Sequence, residues 1–294
     1  TVRRPSVFLK DMGLVQEDAR PTGRVEFTKM KERSRKKVVY PMPKSFSFTA
    51  ISSFRKCPLE YKYAHILRVP RPGSGAISFG QTIHKTLELY LKEYQQALAA
   101  PQGDLFAGNA SKAQAEFPPW KNMLKLYESS WVDDWFEDRE QKEKYQKRGL
   151  AILKAVYDKL VESKPVPKYV EQTFKLGLGR HLLTGKIDRA DATDRGLLIV
   201  DYKTGSAKPL AKVDREQLLI YQWAAQDFLH EKVAGLEYWY FGDSDVAAQH
   251  FLGTPEQLRK TQDELLETVE KIVEAVRGGD FEKFHKKHRG CEYE

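Results

Sequence analysis

The chain has 294 residues, 41% of them hydrophobic and 31% charged, enough for one large domain with a helical insert. It contains no run of 18 or more apolar residues, which argues against a membrane span, and no apolar stretch follows Thr1–Pro5 as a secretory leader requires. The net charge of +8 is compatible with a polyanionic partner.

Residues 1–44 are rich in charge and proline and read as a basic N-terminal arm that includes the dense run Lys29–Lys37. A second basic run, Phe281–Arg289, lies near the other end; for both, a solvated tail and a nucleic-acid contact are equally open. Ser45–Thr49 alternates as a short strand, and Thr49 or Ser52 can cap a helix through Phe54, Leu59, Tyr61 and Ile66. Ile83, Leu87, Tyr90, Leu91 and Tyr94 recur at helical spacing and predict a helix over about 77–96, with His84 beside its apolar face. Residues 98–118 read as a loop, and two further helices are expected over 119–136 and 140–162. A helical insert of about 97–165 thus precedes a core of about 166–278, within a single domain over 45–294.

Strands are expected near 169–176, 181–189 and 196–203, joined as antiparallel hairpins at Gly177–Gly179 and Asp191–Gly196. A helix over about 213–229 and a strand over 236–241 follow. The last helix has Thr254 at its N-cap, Pro255 in its first turn, Gln257 at capping-box spacing and Gly278-Gly279 as its stop. This order predicts an α/β fold, a mixed central β-sheet flanked by helices with an N-terminal helical region.

The chemistry concentrates in Leu197–Gly205. Asp201 and Lys203 stand two apart on a strand and share a face, roughly 6.6 Å apart along it. Asp188 closes the neighbouring predicted strand, so pairing of the two strands brings both carboxylates to one place. Hard oxygen donors suit Mg²⁺ or Mn²⁺, and the Tyr202 carbonyl is a further candidate ligand. A bound metal activates water and neutralises phosphoryl charge, while a lysine can orient the water or stabilise the transition state. An Asp and a Lys two apart also form ordinary surface ion pairs, and the residues alone leave both readings open.

Gly185–Arg189, Val200–Gly205 and Gln217–Tyr221 together resemble the RecB-type branch of the PD-(D/E)XK nucleases, which includes the nuclease domains of helicase–nucleases and the CRISPR-associated adaptation nucleases. Upstream, Ser45–Tyr63 resembles that family's N-terminal segment, and Phe79–His84 its histidine motif; the match runs over 45–294 in the family's order. The resemblance implies a restriction-endonuclease-like fold and a Mg²⁺- or Mn²⁺-dependent deoxyribonuclease. It implies an exonuclease acting on single strands or duplex ends of DNA in repair, recombination or defence. His84, Asp188 and Asp201 would hold the metal, Lys203 would be the catalytic lysine, and Gln217 and Tyr221, one helical turn apart, would support it or contact the DNA backbone. Glu171 resembles the family's additional acid. Arg189 reads as an ion-pair partner and receives no catalytic role.

Two other readings stay open: a catalytically silent DNA-binding or scaffold subunit, and a nuclease module serving a helicase partner. The sequence holds no GxxxxGK[ST] phosphate loop, so a helicase motor would be another chain. Many relatives carry a [4Fe–4S] cluster on one upstream cysteine and three spaced C-x2-C-x5-C. Here Cys57 takes the upstream place, Cys291 the middle one, and His288 stands where its predecessor would be. The last position would lie beyond Glu294. Four thiolates normally hold such a cluster and the sequence has two cysteines, so no intact iron–sulfur cluster is expected. Two cysteines so far apart build no disulfide framework, and a reducing, cytoplasmic setting is expected.

Overall fold

The structure is a computed structural model that describes residues 39–99, 116–205, 207, 213–242, 245–288 and 291. The chain divides into two units, Thr1–Val38 and Val39–Glu294, and all described residues belong to the second. Most of the basic arm, including Lys29–Lys37, and most of the loop expected over 98–118 lie outside the described residues.

Six strands form one mixed sheet: β1 (Phe46–Ser47), β2 (Pro167–Leu178), β3 (His181–Thr193), β4 (Gly196–Lys203), β5 (Val233–Phe241) and β6 (Val246–Phe251). The order is β1-β3-β4-β5-β6, with β2 on the other edge of β3. Seven α-helices flank it among the described residues: α1 (Phe48–Lys56), α2 (Pro58–Tyr61), α3 (Gly75–Ala99), α4 (Trp120–Ser129), α5 (Arg139–Ser163), α6 (Glu216–Asp227) and α7 (Pro255–Gly278). Alternation along the strands gives each face of the sheet its own core. On one face Leu197, Ile199, Leu236 and Tyr238 pack against α1, α2, α6 and α7. On the other, Val200, Tyr202, Trp239 and Phe241 pack against α3, α4 and α5. The result is a three-layer α/β/α arrangement, as the element order predicts.

The strand β3 runs five residues past Asp188, so this acid does not end the strand as expected. Arg189–Thr193 pair with Val200–Gly196 of β4, whereas Leu183 and Thr184 pair with β1 on the same edge. Between Thr184 and Arg189 neither neighbour occupies that edge, and the sheet forks at Asp188. The fork continues into β2, whose ladder with β3 goes from Val170↔Arg189 to Gln172↔Ile187 across Glu171. Glu171 has φ 53°, in the left-handed region that costs a non-glycine residue roughly 1–3 kcal/mol. Its backbone breaks the two-residue alternation. Phe174, Leu176 and Leu178 face the first core from one parity, and Tyr169 reaches it from the other.

Two further departures have physical causes. The helix expected over 119–136 stops at Ser129, because the following segment is bound to α3 instead: the Val132 amide donates to Thr82 Oγ1 at 3.0 Å, and the Ser78 hydroxyl donates to the Asp134 carbonyl at 2.7 Å. The strand β6 was not foreseen; it is an edge strand of intermediate and exposed residues, with no buried face to mark its period. The capping box of Thr254 and Gln257 forms as read, and Gly279, at φ 70°, ends α7.

Gly185 lies inside the fork, where a Cβ would come within 2.4 Å of the Phe174 ring. Gly185→Ala is therefore expected to lose roughly 1–3 kcal/mol of stability in urea unfolding. Shortening the ring by Phe174→Leu in the same chain should recover part of that loss. Full stability of Gly185→Ala alone would contradict this packing.

Candidate active site

The fork gathers side chains from four elements. His84 leaves α3 beside the buried face of Ile83 and Leu87, and its Nε2 lies 3.2 Å from the Tyr202 carbonyl. A carbonyl only accepts, so Nε2 carries the proton and donates. Burial pushes the His84 pKa down, partly offset by the charges of Asp201 and Glu171, which favours the neutral ring. The other nitrogen, Nδ1, then presents a lone pair 3.5 Å from Asp188 Oδ2. One ligand atom each from His84, Glu171 and Asp188 lies within 4.8 Å of the others.

Two lone-pair donors at this distance repel each other unless a proton or a metal cation sits between them. The histidine's second nitrogen is fixed by a backbone carbonyl, the arrangement that orients metal-ligating imidazoles. Asp188 Oδ2 also accepts the Tyr202 amide at 3.1 Å, and Glu171 is held by Lys186 Nζ at 2.8 Å. Burial and the nearby Asp201 charge hold the Asp188 carboxyl well above the usual range. This donor set fits a hard divalent cation, which would relieve both the lone-pair contact and the carboxylate repulsion.

Asp201 stands beside this cradle. It is 1% exposed, and burial raises its pKa against the opposing pull of Lys203. Lys203 Nζ lies 2.6 Å from Asp201 Oδ2 and donates to Gln217 Oε1 at 2.8 Å. Gln217 Nε2 donates in turn to the Tyr221 hydroxyl at 2.8 Å, and that hydroxyl bonds the Asp201 carboxyl. The ring closes Asp201–Lys203–Gln217–Tyr221 from β4 to α6. A cleft of about 420 Å³ opens at Lys203, lined also by Phe48, Tyr202, Thr204, Gln217 and Tyr240.

The structure thus brings His84, Asp188 and Glu171 to one point, and sets Asp201, Lys203, Gln217 and Tyr221 next to it. The Tyr202 carbonyl faces His84. Glu171 is the contributor whose residue type carried least signal, since only its backbone conformation turns it into the fork. Arg189 points to the opposite face, 1% exposed, with its Nε 3.1 Å from Asp191 Oδ2 and its guanidinium 4.1 Å from the Trp239 ring.

The profile of the PD-(D/E)XK nuclease superfamily matches residues 45–294. The chain belongs to this superfamily. It is therefore a nuclease-family chain, with phosphodiester bonds of nucleic acid as substrate and divalent metals as the superfamily's cofactors. No curated protein matches it in sequence. Among solved structures, it resembles a candidate exonuclease from Eubacterium rectale at 14% identity, covering 81% of this chain and 82% of that one, with a TM-score of 0.48. It also resembles SSO0001 at 12% identity, covering 77% and 85%, with a TM-score of 0.30. Neither likeness adds to the family match. No described helix is long and apolar enough to cross a membrane.

Because Asp188 has a raised folded pKa, the metal-free fold holds its proton more tightly than the unfolded chain does. Its stability should then fall as pH rises from the ordinary value of 3.8 through the raised folded value. Asp188→Asn is expected to flatten this slope and to stabilise the metal-free protein at neutral pH by roughly 0.5–2 kcal/mol. Mn²⁺ is expected to raise the melting temperature of the parent, and Asp188→Asn to abolish that rise. Thermal scans against pH, with and without Mn²⁺, check both.

Proposed function

We propose that the chain is a Mg²⁺- or Mn²⁺-dependent deoxyribonuclease of the RecB-type branch, acting as an exonuclease on single strands or duplex ends. The observation that carries the reading is the convergence of the His84–Glu171–Asp188 cradle with the Asp201–Lys203 pair at the fork. One imidazole among carboxylates suits Mn²⁺ as well as Mg²⁺. When bound, the metal would supply charge neutralisation at the phosphate and a lowered pKa for water.

The roles of the chain's own groups follow from their partners. His84, Asp188 and Glu171 hold the cation, with Asp201 adjoining. Lys203 is aimed by Asp201 and by the Gln217 carbonyl, which leaves a third N–H for the substrate or the attacking water. Gln217 itself is oriented by Tyr221, so the lysine is positioned before substrate arrives. The cleft beside Lys203 offers Phe48 and Tyr240 as apolar walls for a nucleotide, and Trp135, 55% exposed, is a further surface for stacking. The preference for DNA ends rests on the resemblance of the motifs to the RecB-type branch. The same resemblance supports service to a helicase partner in repair, recombination or defence.

End-labelled single- and double-stranded DNA, circular DNA and RNA, each incubated with Mg²⁺ or Mn²⁺, test the reading together. Linear DNA should be shortened from its ends while circles persist; equal cutting of circles would remove the exonuclease assignment, and preferential RNA cleavage the DNA assignment. Lys203→Ala should lower turnover by roughly 10²–10³-fold with the fold intact by circular dichroism. Gln217→Ala, which only releases the lysine, should lower it by roughly 10–100-fold. Unchanged turnover in Lys203→Ala would place the chemistry elsewhere.

A further inference from the structure

A second cluster of metal-binding side chains lies outside the fork. Cys57, at the junction of α1 and α2, meets His285, His288 and Cys291 from the segment after α7. One ligand atom from each lies within 4.8 Å of the others. The two sulfurs are 3.8 Å apart; Cys57 Sγ is 3.7 Å from His285 Nδ1 and Cys291 Sγ is 3.7 Å from His285 Nε2. His288 Nε2 is buried and has no hydrogen-bond partner among the described residues. The two contacts of Cys57 join residues 228 and 234 apart in sequence.

We propose that Cys57, His285, His288 and Cys291 form a structural Zn²⁺ site that fastens the C-terminal segment to the α1–α2 junction. Zinc takes four ligands tetrahedrally, with Zn–S near 2.3 Å and Zn–N near 2.0–2.1 Å. That geometry puts two sulfurs about 3.8 Å apart and a sulfur about 3.6 Å from a nitrogen. The sulfur–sulfur separation and one sulfur–nitrogen separation match it, and the remaining ligand atoms lie within 4.8 Å of one another, so a turn of the His285 ring completes the set. The Cys57 sulfur also accepts the Glu60 amide at 3.4 Å, a contact that favours a thiolate ligand. The buried His288 nitrogen gains in the metal the partner it otherwise lacks.

The alternatives fit less well. A [4Fe–4S] cluster takes each thiolate on its own iron, whereas the two sulfurs here stand at the separation of ligands sharing one ion. A disulfide needs sulfurs about 2.03–2.05 Å apart. The neighbouring packing already brings the segment home: Phe281 lies against Tyr61, with ring centroids 6.4 Å apart, and Phe284 against Phe54 at 6.0 Å.

Metal content of the chain, purified under reducing conditions from zinc-supplemented cells, tests the site independently of nuclease activity. To exclude zinc at the fork, the parent for this measurement carries His84→Ala and Asp188→Ala. It should retain on the order of one zinc per chain. Adding Cys57→Ser or His288→Ala should remove it, whereas His288→Cys should keep it. Should a variant fail to fold, Co²⁺ loaded into the unmodified and the fork-deleted chains decides: both should show thiolate charge transfer and the strong visible bands of tetrahedral cobalt. Zinc that vanishes with the fork substitutions, persists without Cys57, or is absent throughout would overturn the proposal. So would iron with acid-labile sulfide, or a Cys57–Cys291 disulfide whose reduction permits no metal uptake. None of these outcomes bears on whether the chain cleaves DNA.

Discussion

Asp188 and Asp201 stand opposite each other in the register of β3 and β4, one step beyond the last paired residues, Arg189 and Val200. Like charges directly opposite on adjacent strands are destabilising, and burial makes these two more so. The strands part where the carboxylates begin, and β1 takes over the edge on the far side of the gap. Everything in the site answers that repulsion. Lys203 pairs with Asp201, Tyr221 favours its charged form, the Tyr202 amide takes one oxygen of Asp188, and a divalent cation held with His84 and Glu171 would take the rest. The strained backbone of Glu171 belongs to the same account: an extended conformation would keep the regular alternation, and the left-handed one turns a third donor into the gap.

The far side of the sheet keeps this register. Arg189 follows Asp188 directly, yet it is packed among the second core's aromatics, against Trp239 and within 3.2 Å of the Tyr202 hydroxyl. Asp191, 3% exposed, balances its charge. A one-residue slip of β3 would exchange faces, burying Asp188 in this core and sending Arg189 into the fork. Both outcomes leave a buried charge without its partner, which costs several kcal/mol. The buried ion pair thus opposes the slip that would dismantle the site, whatever its net contribution to stability.

Side-chain spacing made much of this legible. The alternation of Leu197–Lys203 assigns Asp201 and Lys203 to one face, and the four-residue step from Gln217 to Tyr221 puts both on one side of α6. The apolar period of α3 exposes His84 at the edge of a buried stripe. Other features depend on information that residue types do not carry. The left-handed turn at Glu171 is set by pairing with β3, and nothing in Val170-Glu171-Gln172 marks it. Asp188 reads as terminal because two charged residues, Asp188 and Arg189, follow the strand-like run Leu182–Ile187, although the ladder with β4 begins at Arg189. The break of helix at Ser129 comes from Ser78 and Thr82, some fifty residues away in sequence. The cluster of Cys57 with His285, His288 and Cys291 is equally non-local, and a pair of distant cysteines alone does not announce it.

The position of the catalytic candidate Lys203 finally rests on a frame that starts at the other end of the domain. Gln217 can aim the lysine only if the first turn of α6 is fixed; Arg215 gives that helix no side-chain cap, but Asp214 Oδ1 accepts the Glu216 amide at 2.9 Å. Arg55 of α1 adds a second hold: it reaches across to Glu216, with its Nη1 2.7 Å from each carboxylate oxygen, immediately before Gln217. Arg55 is itself held by Thr268 Oγ1 at 2.9 Å and the Glu264 carbonyl at 2.9 Å on α7. Cys57 lies two residues further along the chain, and α1 begins at Phe48, in the wall of the cleft. A tether at Cys57 would therefore restrain one end of the helix that both lines the cleft and anchors the start of α6. On this geometry, loosening the α1–α2 junction acts on the lysine through Arg55, Glu216 and Gln217, without any change in the groups that would bind the metal at the fork.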